Sequence, residues 1–151
     1  MLRASQIASS LGAEECAKAG LTPPQHAFLI VLSKCSGLDQ RDLGKALGID
    51  RVTAGQVLRT LETRGLVRRV GSSNDGRRKL VSLTAEGRKH VAPAQAAMRR
   101  VSARLLSALE PAERRVFADL LLKMVIALNQ ESVTPVEPPG GAKGDAHARS
   151  A

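Results

Sequence analysis

The 151-residue chain reads as a mainly α protein carrying one small β-hairpin. Three observations carry that expectation. Apolar residues recur at helical spacing over most of the chain. Capping and stopping residues cut this pattern into pieces of ordinary helix length. The period changes once, over residues 66–83, where two short β-branched or alternating runs flank a turn-forming stretch. The length allows one domain with a real core plus a tail.

Residues 1–19 form the first expected helix, with Leu2, Ile7, Ala8 and Leu11 on its apolar face and Gly20 as its stop. Thr22 caps a second helix with Pro23 and Pro24 in its first turn, where a missing N–H costs nothing. The body of that helix, HAFLIVLSKC, is apolar nearly all round, which makes it central, and Gly37 closes it. Asp39 then caps a short third helix carrying Leu43, Ala46 and Leu47, and Gly48 ends it in the left-handed conformation that glycine tolerates. Ile49 plugs the corner, and Asp50 caps a fourth helix that lasts until Gly65. Ala54, Val57, Leu58 and Leu61 give this fourth helix a core stripe. Its opposite face carries Val52, Gln56 and Arg59, flanked by Thr53, Gly55 and Thr60. A short helix, a glycine turn and a second helix with a small polar face have the layout of a helix-turn-helix; a generic helical hairpin is the competing reading of this stretch.

Charge favours the first. The formal net charge is +9, and the tail from Ser132 is neutral (Lys143 and Arg149 against Glu137 and Asp145), so all of the excess lies on the folded part. Such a surface suits a polyanion, nucleic acid before membrane. No apolar run reaches the roughly 18 residues of a bilayer span. The N-terminus lacks the zones of a signal peptide, and two isolated cysteines, Cys16 and Cys35, suit a reducing cytoplasm. With Phe28 and Phe117 as the sole aromatics, base stacking on an aromatic platform is excluded as a binding mode. Enzyme chemistry finds no support either. His26, His90 and His147 are scattered, and no metal-ligand, P-loop or dinucleotide motif occurs, so no cofactor or metal is expected.

Beyond Gly65, the runs 66–70 and 79–83 enclose GSSNDGRR, in which Asn74, Asp75 and Gly76 form the turn. Arg68, Arg69, Arg77, Arg78 and Lys79 stand against the single acid Asp75, so the hairpin is a wing suited to a phosphate backbone. Asp75 better orients Arg77 than meets DNA, whose phosphates repel it. Thr84 caps a further helix that runs to about Leu109 and is bent at Pro93. Pro111 opens the last one, whose face carries Val116, Leu120, Leu121, Met124, Val125 and Leu128. Those stripes exceed what a winged domain covers. From Ser132 the chain is rich in proline and glycine and is expected to be disordered.

These segments resemble the MarR family of bacterial transcription regulators. LTPPQHAFLIVL, LDQRDLGKALGIDRVTAGQVLRTLETRGLVRR and the wing pattern Asp75-x-Arg77 followed by Leu83-Thr84-x-x-Gly87 carry the resemblance, which spans about residues 1–130. It implies a winged helix-turn-helix plus a helical dimerisation region: residues 1–20 an N-terminal dimerisation helix, 21–84 the DNA-binding domain, 85–131 the C-terminal dimerisation helices, 132–151 a tail. It implies a cytoplasmic homodimer on a palindromic double-stranded operator, a repressor released by a small, often aromatic, acid. On this view Gln40, Arg51, Val52, Thr53, Gly55, Gln56, Arg59, Thr60, Arg68, Arg69, Arg77, Arg78 and Lys79 form the DNA surface. Gln56 suits adenine and Val52 the thymine methyl, while the wing supplies phosphate contacts. Gly55, lacking a side chain, lets the helix sink deeper at a propensity cost of about 1 kcal/mol. Arg3 and Gln6, one turn apart, and His26 are the effector candidates, an arginine being suited to grip a carboxylate. Several positions depart from the family: Val52, Gly55 and Gln56 replace the usual Ser, Thr and Arg, His26 replaces an aromatic, and the first helix begins almost at Met1, which is expected to reflect either a shortened dimer contact or a misassigned start codon. Two other readings stand beside this one, a ligand-blind or architectural DNA binder and a regulator that senses oxidants through cysteine.

Overall fold

The structure, a computed structural model, describes residues 2–35, 37–71 and 78–138. Six α-helices and a three-stranded antiparallel sheet make up these residues: α1 (Leu2–Ala17), α2 (Pro23–Lys34), β1 (Leu38–Asp39), α3 (Gln40–Leu47), α4 (Arg51–Thr63), β2 (Val67–Gly71), β3 (Lys79–Leu83), α5 (Ala85–Leu105) and α6 (Pro111–Leu128), followed by a 3-10 turn at Asn129–Glu131. The mainly α class with a winged helix-turn-helix is the one expected. The two-residue strand β1 was not. Leu38 pairs with Val81 and Asp39 with Leu80, so β3 lies between β1 and β2 and the wing is tied to the start of α3. The turn residues 72–77, including Asn74, Asp75, Gly76 and Arg77, lie outside the described residues, as do 139–151 of the tail.

Helix ends follow the local chemistry closely. Thr22 and Gln25 form a reciprocal capping box at α2. The Asp39 carboxylate accepts from the Asp42 N–H at 2.9 Å, and that of Asp50 from the Val52 and Thr53 N–H groups at 2.9 and 3.0 Å. Gly48 leaves α3 with φ 61°, the left-handed C-terminal conformation. Pro93 sits inside α5, which stays one helix to Leu105. The loss of one backbone bond is tolerated there because buried Ala94, Ala97 and Val101 hold the helix against the body.

Around α2 the core closes. Phe28 and Leu29 are wholly buried among Leu43 of α3, Leu58 and Leu61 of α4, and Leu66, Val67 and Val81 of the sheet. Burial of a side chain such as Phe28 contributes about 1.5–3 kcal/mol. Helix α1 packs on α5, where the buried carboxylate of Glu15 is held by Lys18 and by Arg100 at 2.6 Å, and Glu14 pairs with Arg104 at 2.9 Å. Helix α6 differs from all the others, because every one of its residues is exposed. Leu120 and Ile126 are 62% and 67% exposed, values that leave its apolar stripe without a partner among the described residues. No helix among those residues is long and apolar enough to cross a membrane.

The expectation of disorder from Ser132 needs correction for 132–138. Thr134 donates from Oγ1 to the Gly48 carbonyl at 2.6 Å, and the Glu137 N–H to the Lys45 carbonyl at 2.9 Å. Low hydrophobicity misled the sequence reading. This segment is held by backbone groups at the end of α3, which composition does not register.

Candidate nucleic-acid interface

The candidate interface residues lie on α4, the start of α3 and the two wing strands. Asp50 begins α4, and the bonds from Val52 and Thr53 hold its carboxyl below the usual aspartate range, the Thr53 side chain contributing most. From that fixed start, Ala54, Leu58 and Leu61 turn into the core while Val52, Gln56, Arg59 and Thr60 face outward. Val52 is 68% exposed, unusual for a valine, and Gln56 stands one turn further on the same face. Thr53 is half-buried, and the Thr60 hydroxyl donates back to the Gln56 carbonyl at 3.1 Å. Arg51 and Arg59 are exposed and make no ion pair among the described residues.

Gly55 requires a correction. It is buried, and a Cβ built on it would lie 3.0 Å from Nε2 of Gln40. That amide donates to the Arg51 carbonyl at 3.0 Å, bracing the first turn of α4 from α3. The missing side chain makes room for Gln40 inside the protein; it does not bring the helix nearer to DNA. Helical spacing had put Gly55 at the margin of the polar face, and only the position of α3 decides which side of that margin it occupies.

Arg78 also departs from its expected setting. Its Nε and Nη2 donate to the Asp39 carboxylate at 3.0 and 2.7 Å, and Nη2 to Asp42 at 2.8 Å. Burial opposes ionisation of Asp39, but the Asp42 N–H and Arg78 outweigh it and hold its carboxyl below the ordinary range. Arg78 is thus a clamp between β3 and the N-terminus of α3, its charge already answered by two carboxylates. Arg69 is also engaged, 3.5 Å from Glu62, and Arg68 donates to Ser82 at 3.4 Å. Lys79 is exposed and makes no ion pair among the described residues. Arg77 falls outside them.

Between α3, the first turn of α4 and the wing lies a cleft of about 890 Å³, lined by Gln40, Arg41, Lys45, Arg51, Arg69 and Lys79 among others. Arg41 and Lys45 were absent from the sequence-based candidates. Their spacing of four on α3, outside its core stripe, is the signal that marks them.

The effector candidates do not gather. Arg3 and Gln6 are exposed in the first half of α1, whereas His26 is fully buried beside the backbone of Cys16 and Ala94. At 1.5 Å per residue, Gln6 and Cys16 are about 15 Å apart along α1, so one chain cannot bring Arg3 and Gln6 to the imidazole. Among the described residues neither ring nitrogen of His26 makes a well-aligned hydrogen bond; burial first of all pushes its pKa below the usual value, against the opposite pull of the nearby Cys16 and Ala94 backbone. Cys16 is wholly buried, and burial, with Glu15 next to it, pushes its thiol up, the reverse of what a redox-sensing cysteine needs.

A helix-turn-helix with an exposed polar α4 face, flanked by a basic sheet hairpin, defines a winged helix-turn-helix DNA-binding protein. Residues 19–78 match the MarR family. Transcriptional regulator HosA of Escherichia coli O157:H7 is 36% identical over 105 residues, covering 70% of this chain and 78% of HosA. HTH-type transcriptional repressor Rv2887 of Mycobacterium tuberculosis is 35% identical over 105 residues, 70% of this chain and 76% of that one. Its crystal structure in complex with salicylic acid aligns with a TM-score of 0.68 over 82% of this chain and 91% of its own. The transcriptional repressor CouR, solved bound to a 23-mer DNA duplex, is 30% identical and aligns with a TM-score of 0.75 over 82% of this chain and 87% of that one. The chain belongs to the MarR family and is a DNA-binding transcriptional regulator, not an enzyme.

Proposed function

We propose that the protein is a homodimeric repressor that reads a palindromic operator through Val52 and Gln56 and releases it when a small aromatic carboxylate binds. The observation that carries the DNA reading is the exposed α4 face, rigidly set by the Asp50 cap and the Gln40 brace. Gln56 suits the N6 and N7 edge of adenine, and Val52 the methyl of thymine. Each half-site then contains an A·T pair read by Gln56, with half-site centres about 34 Å apart. Phosphate contacts fall to Arg51, Arg59, Arg68 and Lys79, which the structure leaves exposed, with Thr53 and Thr60 at the rim. The test is a selection of bound sequences from a random library with wild type and Gln56→Ala. Gln56→Ala should cost about 1–3 kcal/mol on the preferred operator and much less on a site changed at that pair. Identical preferences for both proteins would remove Gln56 from base readout.

Dimerisation rests on the bare apolar stripe of α6 and on the exposed first half of α1. Light scattering is expected to give a dimer mass at micromolar concentration, and Leu121→Glu with Val125→Glu a monomer.

For the effector, the salicylate complex of Rv2887 supports an aromatic acid as the ligand class. The buried His26 ring, whose nitrogens make no well-aligned hydrogen bond among the described residues and lie near the Cys16 and Ala94 backbone, favours the junction of α1, α2 and α5 as its place. Because Arg3 and Gln6 lie about 15 Å or more from that junction in their own chain, their part in the site is assigned to the assembled dimer. If the ligand lowers operator affinity, operator must lower ligand affinity by the same factor. Calorimetry with salicylate, with and without operator, checks both halves of that statement.

A further inference from the structure

We infer that residues 132–138, beyond the 3-10 turn that follows α6, form an autoinhibitory strap on the helix-turn-helix of their own chain. The strap is held from two sides. Near α6, the Asn129 side chain donates to the Val136 carbonyl and accepts from the Val136 N–H, both at 2.9 Å. On α3, Thr134 donates to the Gly48 carbonyl at 2.6 Å and the Glu137 N–H to the Lys45 carbonyl at 2.9 Å. The Gly48 carbonyl lies just past the end of α3, and the Lys45 carbonyl, which also accepts from the Gly48 N–H at 3.3 Å, has a second lone pair for the strap. The Glu137 carboxylate accepts from Lys45 Nζ at 2.7 Å. Gly48 fits the seat twice over: its φ of 61° suits glycine, and a Cβ there would lie 3.1 Å from a Val136 methyl.

Position gives the strap its effect. Thr134, Pro135 and Glu137 form one wall of the cationic cleft between α3, α4 and the wing. A duplex on the α4 face brings phosphates toward that cleft, where the strap has placed a carboxylate and cancelled the charge of Lys45. The Lys45–Glu137 pair is half exposed on both sides, and such pairs are weak enough to be exchanged for a phosphate. The strap is therefore displaceable, and its release adds one cation per chain to the DNA surface. Thr134 lies six positions beyond Leu128, a reach of at most about 22 Å, so the packing of α6 governs whether the strap can sit. The inference rests on the DNA-binding role of the same surface.

Full-length protein is titrated with a random-sequence duplex of about two helical turns, over a range of salt. Glu137→Gln should tighten binding about three- to tenfold at low salt and steepen the slope of log K against log salt by up to about one per chain. The side chain is exposed, so the fold is not at risk. A second variant, Lys45→Cys with Glu137→Cys on a Cys35→Ser background, locks the strap. The backbone bond from the Glu137 N–H to the Lys45 carbonyl and the contact of their side chains bring the two positions together, as a disulfide requires. Oxidised protein should bind the duplex more weakly than the same protein reduced. Salt-sensitive binding by wild type reports on the DNA-binding role alone. With that binding present, equal affinities of oxidised and reduced protein, or Glu137→Gln no tighter than wild type, overturn the strap. Binding by Glu137→Gln where wild type shows none supports it, and absence of binding in every form removes strap and DNA role together.

Discussion

Gly87 shows what one missing side chain does in this fold. Thr84 caps α5 by accepting from the Gly87 N–H at 2.9 Å, and its hydroxyl donates to the Gly65 carbonyl at 2.6 Å. A Cβ on Gly87 would stand 1.9 Å from the Leu66 carbonyl oxygen, a backbone atom that cannot turn aside. Gly87→Ala is therefore expected to cost at least about 3 kcal/mol, read by denaturant unfolding, and to part α5 from the wing base. Gly55→Ala should behave otherwise. Its new Cβ meets the flexible end of Gln40 at 3.0 Å, so a helix-propensity gain of about 1 kcal/mol offsets the loss of one hydrogen bond worth about the same. Stability should stay within about 1 kcal/mol of wild type, while operator affinity falls because the brace on the first turn of α4 is gone. Unaltered operator affinity would show that the brace does not matter to readout. The LT-x-x-G pattern was legible in the sequence because its cap is local. The role of Gly55 was not, because its neighbour comes from another helix.

The wing is held by the β1–β3 pairing and by Arg78 on Asp39 and Asp42. Counting Arg78 with the phosphate-binding cations overlooks those carboxylates. Arg78→Ala should lower affinity for all duplexes, since it frees two acids beside the DNA surface and loosens the wing, but leave the salt slope nearly unchanged. Lys79→Ala should instead flatten the slope by about 0.9 per chain, as loss of a true phosphate contact does. Equal flattening by both variants would return Arg78 to the phosphate-binding set. An arginine in a basic run looks like its neighbours in the sequence. Its carboxylate partners lie 36 and 39 residues away.

The molecule as a whole carries two acid-sensitive joints, His26 of α2 against α1 and α5, and Glu15 between α1 and α5. His26 is buried neutral with a depressed pKa, so its contribution is intact above the unfolded value near 6.5 and is lost as pH falls below it. Glu15, between Lys18 and Arg100, is held down to about 2, so its contribution is present above 4.5 and disappears between 4.5 and about 2. Unfolding at fixed protein concentration should lose stability in two steps on acidification. His26→Leu should remove the upper step and Glu15→Gln shrink the lower, which Asp39 and Asp50 share; profiles identical in all three proteins would contradict the assignment.

The order of helices, their caps, the turn between α3 and α4, the hairpin and the cationic character of the surface were all decided by the sequence alone. Each depends on residues within about one helical turn of one another, on two alternating runs either side of a turn-forming stretch, or on summed charge. Which side Gly55 faces, what Arg78 pairs with, how far His26 lies from Arg3, and that residues 132–138 rest on α3 were decided only by tertiary structure. Every one of these is a contact between segments far apart in the chain, and neither periodicity nor composition carries information about which distant backbone a side chain will meet.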